Sequence, residues 1–301
     1  MISLYPFHQN TNKAIPYLAA TLVVCIWSGW ITISRYGVHT NLLPADITLL
    51  RYCTALLCVS PWLLTYPWAK FRFYQYLFVG VGVGFPYTML SFYGLQKIKA
   101  AHAGVLVNGM LPVMGAIVAW CIFRQKLYIR QWAAVVLICL ANLIMAGSDI
   151  FSRDHLTGIV FLLGAASIYT IHMTGVRLWH FTWKDVLLVV PVINVGLFLP
   201  IWFFLPTSLT TANINDIICQ SLYQGILVNI IALTCVAYAI RHLGTMTVAL
   251  FMSTVPVMTS ILAWIFLQEP LILHEGIGIL GCSLGLLLYA KGASTHSRSI
   301  D

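Results

Sequence analysis

Apolar residues recur in ten runs of bilayer length, and this leaves few folds open. The runs lie at about 14–36, 45–66, 73–95, 102–123, 129–148, 156–178, 184–205, 217–240, 244–267 and 271–290. Each has roughly the 20 residues a helix needs to cross the hydrocarbon layer. The breaks are short and hold most of the charge, as at Lys70 with Arg72 and at Lys97 with Lys99. Only 8% of the 301 residues are charged, against about 25% in soluble domains, too few to cover a water-facing surface. The expectation is an all-α integral membrane protein with ten transmembrane helices. Disorder, coiled coil and a disulfide scaffold are excluded. The net charge of +8 comes from cations dispersed at the ends of runs, so no nucleic-acid partner is expected. The first run is too long and too aromatic for a cleaved signal peptide. The eight cysteines form no CxxC pair and lie in or beside apolar stretches. They read as small hydrophobes, and no metal site or cofactor is expected.

Positive charge orients the runs. With the N-terminus in the cytoplasm, eleven lysines and arginines fall inside, from Lys13 through Lys126 to Arg298. Three fall outside: Lys97, Lys99 and Arg153. Both termini are therefore expected in the cytoplasm, with the chain in a cell inner membrane. Lys97 and Lys99 are a local exception. The acids Asp46, Asp149, Asp154, Asp216, Glu269 and Glu275 fall outside in this arrangement.

The two halves resemble each other at an offset of about 144 residues. Tyr93 through Gly104 has its partner in Tyr238 through Ala249, Pro112-Val-Met matches Pro256-Val-Met, and Trp120 matches Trp264. Five runs per half is an odd number, so the halves, 14–148 and 156–290, insert in opposite directions. Inverted repeats characterise alternating-access carriers, with the site between the halves.

The residues Trp27-Ser28-Gly29, Pro44 through Arg51-Tyr52, Pro86-Tyr87, the Tyr93–Gly104 stretch, Pro112 and Leu267-Gln-Glu269-Pro carry a resemblance to a known family. The chain resembles the EamA type of the drug/metabolite transporter superfamily over about 14–290. That resemblance implies two five-span repeats, transport of a small molecule, and a midplane cavity lined by the first, third, fourth, sixth, eighth and ninth spans. It leaves the cargo open. Three departures stand out: Gln125 replaces the family's acid, Arg51 has Val190 as its loose counterpart, and Tyr169 stands where the first half has Trp27.

Polar and aromatic groups inside spans are costly facing lipid and are candidates for a cavity. Trp27, Trp30 and Ser34 share one helix face, although tryptophan also anchors at membrane interfaces. Gly80, Gly82 and Gly84 precede Pro86-Tyr87, which reads as a closely packed or kinked segment. Asn108 stands four residues before Pro112. Tyr169 and His172 lie in the sixth span, and His172 is the one histidine well inside a span. Asn229 lies in the eighth and Ser253 in the ninth. The site set is thus Trp27, Trp30, Tyr87, Asn108, Tyr169, His172, Asn229 and Ser253. No Asp or Glu lies in the middle of a span, which argues against a carboxylate-based proton cycle. Aromatic faces, Trp120 and Trp264 among them, would have to hold a cationic cargo.

The leading function is a secondary transporter that exports a small metabolite (an amino acid, amine or related compound) by alternating access. The competing classes are a passive channel or facilitator and an integral membrane enzyme. No HExxH or GxSxG is present to support an enzyme. The expected partners are a small-molecule substrate and the lipid bilayer, with the protein a monomer or homodimer. The fifth and tenth spans, rich in alanine and glycine, are expected to pack against each other away from the cavity.

Overall fold

The computed structural model describes residues 14–122, 124, 127–147 and 152–297. Lys13, Phe123, Gln125, Lys126, Asp149 and Arg298 lie outside the described residues. Among the described residues all regular structure is helical. The first half comprises α1 (Ala14–Gly37), α2 (Pro44–Leu63), α3 (Phe73–Gly82), α4 (Phe85–Lys97), α5 (Ala100–Cys121) and α6 (Ile129–Ala146). The second comprises α7 (Arg153–Leu178), α8 (Trp183–Trp202), α9 (Ile214–Gln220), a π segment (Ser221–Ala232), α10 (Leu233–Met252), α11 (Val255–Leu267) and α12 (Leu273–Ser297).

These elements make ten traverses in two inverted sets of five. α3 and α4 share the third. The eighth runs from α9 through the π segment into α10, and the ninth from the rest of α10 into α11. The two meet inside α10 at Gly244, whose φ of 81° and ψ of 157° interrupt the helix. Such a φ suits glycine, which has no Cβ to clash. Large apolar side chains face outward along the traverses, Leu57 at 74% exposure and Phe266 at 72% among them. Lipid, rather than water, solvates such a surface. Trp120 and Trp264, offered by the sequence as cage faces, are each 61% exposed and belong to this outer surface.

The third traverse is interrupted more sharply than a kink. α3 stops at Gly82, Gly84 is extended, and Pro86 opens α4 instead of bending a continuous helix. Proline is well placed there, because the first turn needs no amide donor. Broken backbone in a bilayer must find other partners. The Asn194 amide of α8 supplies two of them: its Oδ1 accepts the Phe85 N–H at 2.7 Å, and its Nδ2 donates to the Gly80 carbonyl at 2.8 Å. Tyr52 of α2 supplies another, donating to the Val83 carbonyl at 2.9 Å. The glycine run is close packing. A Cβ on Gly80 would press on Ile193, one on Gly82 on His172, and one on Gly84 on the Asn194 amide.

The ninth traverse breaks at Ser253 and Thr254, with Pro256 at the start of α11. α12 lies along α6, and the close approach depends on glycine. A Cβ on Gly278 would sit 2.6 Å from the Met145 Cβ, and one on Gly285 2.6 Å from Ile138. Asn142, which could have bonded across this contact, donates instead to the Ile138 carbonyl of its own helix.

Cross-repeat ties differ at the two faces of the bundle. At the face where α1 ends, the Gly37 face, Arg35 pairs with Glu269, Lys97 with Asp154, and Lys99 with Glu275. The Tyr36 hydroxyl donates to Asp216. Buried Asp46 accepts from Trp202, Thr207 and Ser208. The two lysines that break the charge bias thus stand against acids of the other repeat. At the opposite face, the Ala14 face, Asp185 accepts from Lys70 at 2.7 Å and Tyr66 at 2.8 Å. Burial, and the Asp185 carboxylate beside it, push the Tyr66 phenol up, so it remains a donor.

Candidate functional site

A cavity of about 160 Å³ lies between the repeats. The first repeat contributes Trp27, Trp30, Arg51, Tyr87 and Asn108 to its walls, and the second contributes Tyr169, His172, Val190 and Asn229. Seven of the eight residues chosen from the sequence therefore meet at one site. Ser253 is not among its walls; its hydroxyl donates to the Leu250 carbonyl at 2.6 Å. It lies at the break between α10 and α11.

The helices that supply the walls also differ from the expected set. α2 contributes Arg51, and α8 contributes Val186, Leu187, Val190 and Pro191. The ninth traverse contributes none of the described wall residues. Val186 lies one turn inside α8, so the cavity reaches toward the Ala14 face. In the other direction the walls stop at Ile31, short of the Arg35–Glu269 tie.

One wall is aromatic. Trp30 stacks on Tyr87 with ring centroids 5.9 Å apart and planes at 19°. Tyr87 meets Tyr169 at 5.3 Å, and Tyr169 meets His172 at 5.7 Å. His172 Nδ1 lies 2.7 Å from the Val79 carbonyl, so that nitrogen carries the proton and donates. The bond ties α7 to the broken third traverse. The Asn108 amide donates to the Gly104 carbonyl of its own helix at 2.8 Å.

Behind the walls, Gln224 of the π segment holds two wall residues, Trp30 and Arg51. Its fully buried Oε1 accepts from Trp30 Nε1 at 2.8 Å and from Arg51 Nη1 at 2.8 Å. Its Nε2 donates to Ser34 Oγ at 3.0 Å. Asn229, five residues on, donates to the Gln224 carbonyl at 2.6 Å and lies 3.5 Å from Arg51 Nη2. Helices with i→i+5 bonding are rare and cluster at functional sites. Here the wider turn puts Gln224 and Asn229 on the same guanidinium. Tyr223 reaches the other way and donates to the Ile26 carbonyl at 3.1 Å. It passes over Gly29, where any side chain would collide with its hydroxyl. That contact is a structural reason for the glycine in Trp27-Ser28-Gly29.

Arg51 and Gln224 were absent from the set read from sequence. Arg51 lies seven residues into α2 and resembles a charge at a span end. Gln224 had a signal: Gln220 and Gln224 stand four apart in an apolar run, a spacing that places both on one helix face.

A model of the EamA-like transporter family matches residues 14–147 and 156–290. The chain belongs to that family. It is accordingly a multi-pass membrane protein of a class that transports small molecules and is not enzymatic. Among curated proteins none matches the chain. A solved crystal structure is similar over 91% of this chain and 96% of its own, at 15% identity and a TM-score of 0.58. At that identity the likeness concerns the fold.

Proposed function

We propose that the protein is a secondary transporter that moves a small metabolite by alternating access, with the cavity between the repeats as its substrate site. The units that move are the repeats 14–148 and 156–290. Trp27, Trp30, Tyr87, Tyr169, Asn108, His172 and Asn229 contact the cargo. The observation that carries this reading is the asymmetry of the cavity. It reaches toward the Ala14 face, where a single carboxylate, Asp185, joins the repeats, while three cross-repeat ion pairs lie beyond its other end. Alternating access needs such a state and its mirror image.

The lysine and arginine bias makes the Ala14 face cytoplasmic. A carrier resting in this state loads from the cytoplasm, which favours export across the inner membrane by a monomer or homodimer. A passive channel is the second reading, and counterflow separates the two. Proteoliposomes preloaded with unlabelled cargo should transiently accumulate the labelled compound, and Trp27→Ala or Tyr169→Ala should abolish the overshoot while the protein stays folded. Flux without an overshoot would identify a channel.

A further inference from the structure

Arg51 is the one lysine, arginine or acid among the described cavity walls, and no carboxylate pairs with it among the described residues. It is 4% exposed. Arginine keeps its charge in a protein interior, and a buried charge without a counter-ion is costly. The compensation on hand is neutral: the Gln224 and Asn229 amides, with the rings of Trp30 and Tyr52 5.7 and 5.6 Å from the guanidinium carbon.

The bonding is also lopsided. Nη1 is engaged at 2.8 Å, Nη2 has a long contact at 3.5 Å, and Nε is buried without a partner. Nε and Nη2 form one edge of the guanidinium, a fork that matches the two oxygens of a carboxylate. The unsaturated edge is therefore the one suited to bidentate recognition. Nη2 on that edge reaches toward Asn229, itself a cavity wall.

We infer that Arg51 is the anchor for a carboxylate on the transported molecule, and that the cargo class is small organic monocarboxylates with a planar or apolar body. The inference deepens the transport reading and rests on it. One guanidinium neutralises one negative charge; a phosphate monoester would bring a second, with no cation on the described walls to meet it. An ammonium group would find ring faces but no acid, and would face the like charge of Arg51. The Trp30–Tyr87–Tyr169 wall suits a flat body. A cavity near 160 Å³ is of the size that accommodates a benzene ring.

The test compares acids with their amides on the purified full-length protein in detergent. The probes are phenylacetate against phenylacetamide, benzoate against benzamide, and inorganic phosphate, read by tryptophan fluorescence and thermal shift at constant ionic strength. The acids should bind saturably and about tenfold or more tighter than their amides, a typical worth of one charge-assisted pair. Arg51→Gln should reduce the acid to the affinity of the amide, and Arg51→Lys should retain part of the difference. If Arg51→Gln does not fold, the acid–amide comparison on the wild-type protein still decides. Equal binding of acid and amide, no saturable acid binding, an acid preference that survives Arg51→Gln, or equal stabilisation by phosphate would each overturn the anchor. Counterflow separates this inference from the transport reading. Acid-selective binding without counterflow would leave the anchor standing and sink the carrier. Counterflow of neutral or cationic compounds that persists in Arg51→Gln would do the reverse.

Discussion

The Nε atom of Arg35 lies 2.9 Å from Oε1 of Glu269, tying the last turn of α1 to the connection between α11 and α12. The second carboxylate oxygen accepts the Ala100 N–H at 2.8 Å, and Arg35 also donates to the Leu95 carbonyl. One acid of the second repeat thus binds two elements of the first, and its arginine partner reaches a third. In the proposed alternating-access cycle, opening of the Gly37 face would part this knot.

Glu269→Gln should loosen that face. Both side chains are largely buried, and a hydrogen bond to a charged group is worth on the order of 1.5–3 kcal/mol, enough to shift a two-state distribution roughly tenfold or more. A single cysteine at Val107 on a cysteine-free background should react faster with an impermeant maleimide added from the Gly37 face. An unchanged rate would mean that the tie does not restrain opening.

Gln224→Leu should destabilise the protein by about 3 kcal/mol or more, since Arg51 and Trp30 lose a shared acceptor inside the membrane. Thermal unfolding in detergent would show a clear drop. Gln224→Glu should fold, because the acceptor remains and gains charge opposite Arg51. It should also compete with an anionic cargo, so acid binding should fall while thermal stability does not.

Gly29→Ala should displace Tyr223 and lower stability, because the new methyl group meets the phenolic oxygen. Tyr223→Phe in the same chain removes the colliding atom. The double variant should recover part of the loss, a coupling that a double-mutant cycle measures directly. Independent, additive effects would contradict the contact.

Gly285→Leu should block assembly or cost several kcal/mol, whereas Gly276→Leu should be tolerated. A Cβ on Gly285 is confronted by Ile138 of α6, and one on Gly276 meets open space. Gly281 is intermediate, with the Ala141 Cβ 3.2 Å away. Comparable expression and melting temperature for the first two variants would show that α6 and α12 are not closely apposed.

Ten traverses and their inverted arrangement were legible because bilayer length and chain punctuation leave strong marks. Trp27, Trp30, Tyr87 and Tyr169 were legible because mid-span aromatic and polar groups stand out against aliphatic neighbours. Val186, Leu187 and Val190 were not. In a chain surrounded by lipid every face is apolar, so hydrophobic periodicity cannot separate a side chain on a cavity from one on the bilayer. Trp120 and Trp264 are the converse case, aromatic and repeat-matched yet turned outward. Ser253 was polar and inside a span, yet its hydroxyl serves the Leu250 carbonyl at the α10–α11 break and does not line the cavity. The π turn around Gln224 had no composition signal, because its partners Arg51 and Trp30 are remote in sequence.

The ion pairs at the Gly37 face also bear on the order in which the chain is made. Arg35, Lys97 and Lys99 are translated in the first half, and their partners Glu269, Asp154 and Glu275 all come later. A nascent first repeat therefore emerges from the ribosome with three cations that only subsequent sequence can neutralise. Its final seating in the bilayer is thereby coupled to synthesis of the second repeat, through to α12, which holds Glu275.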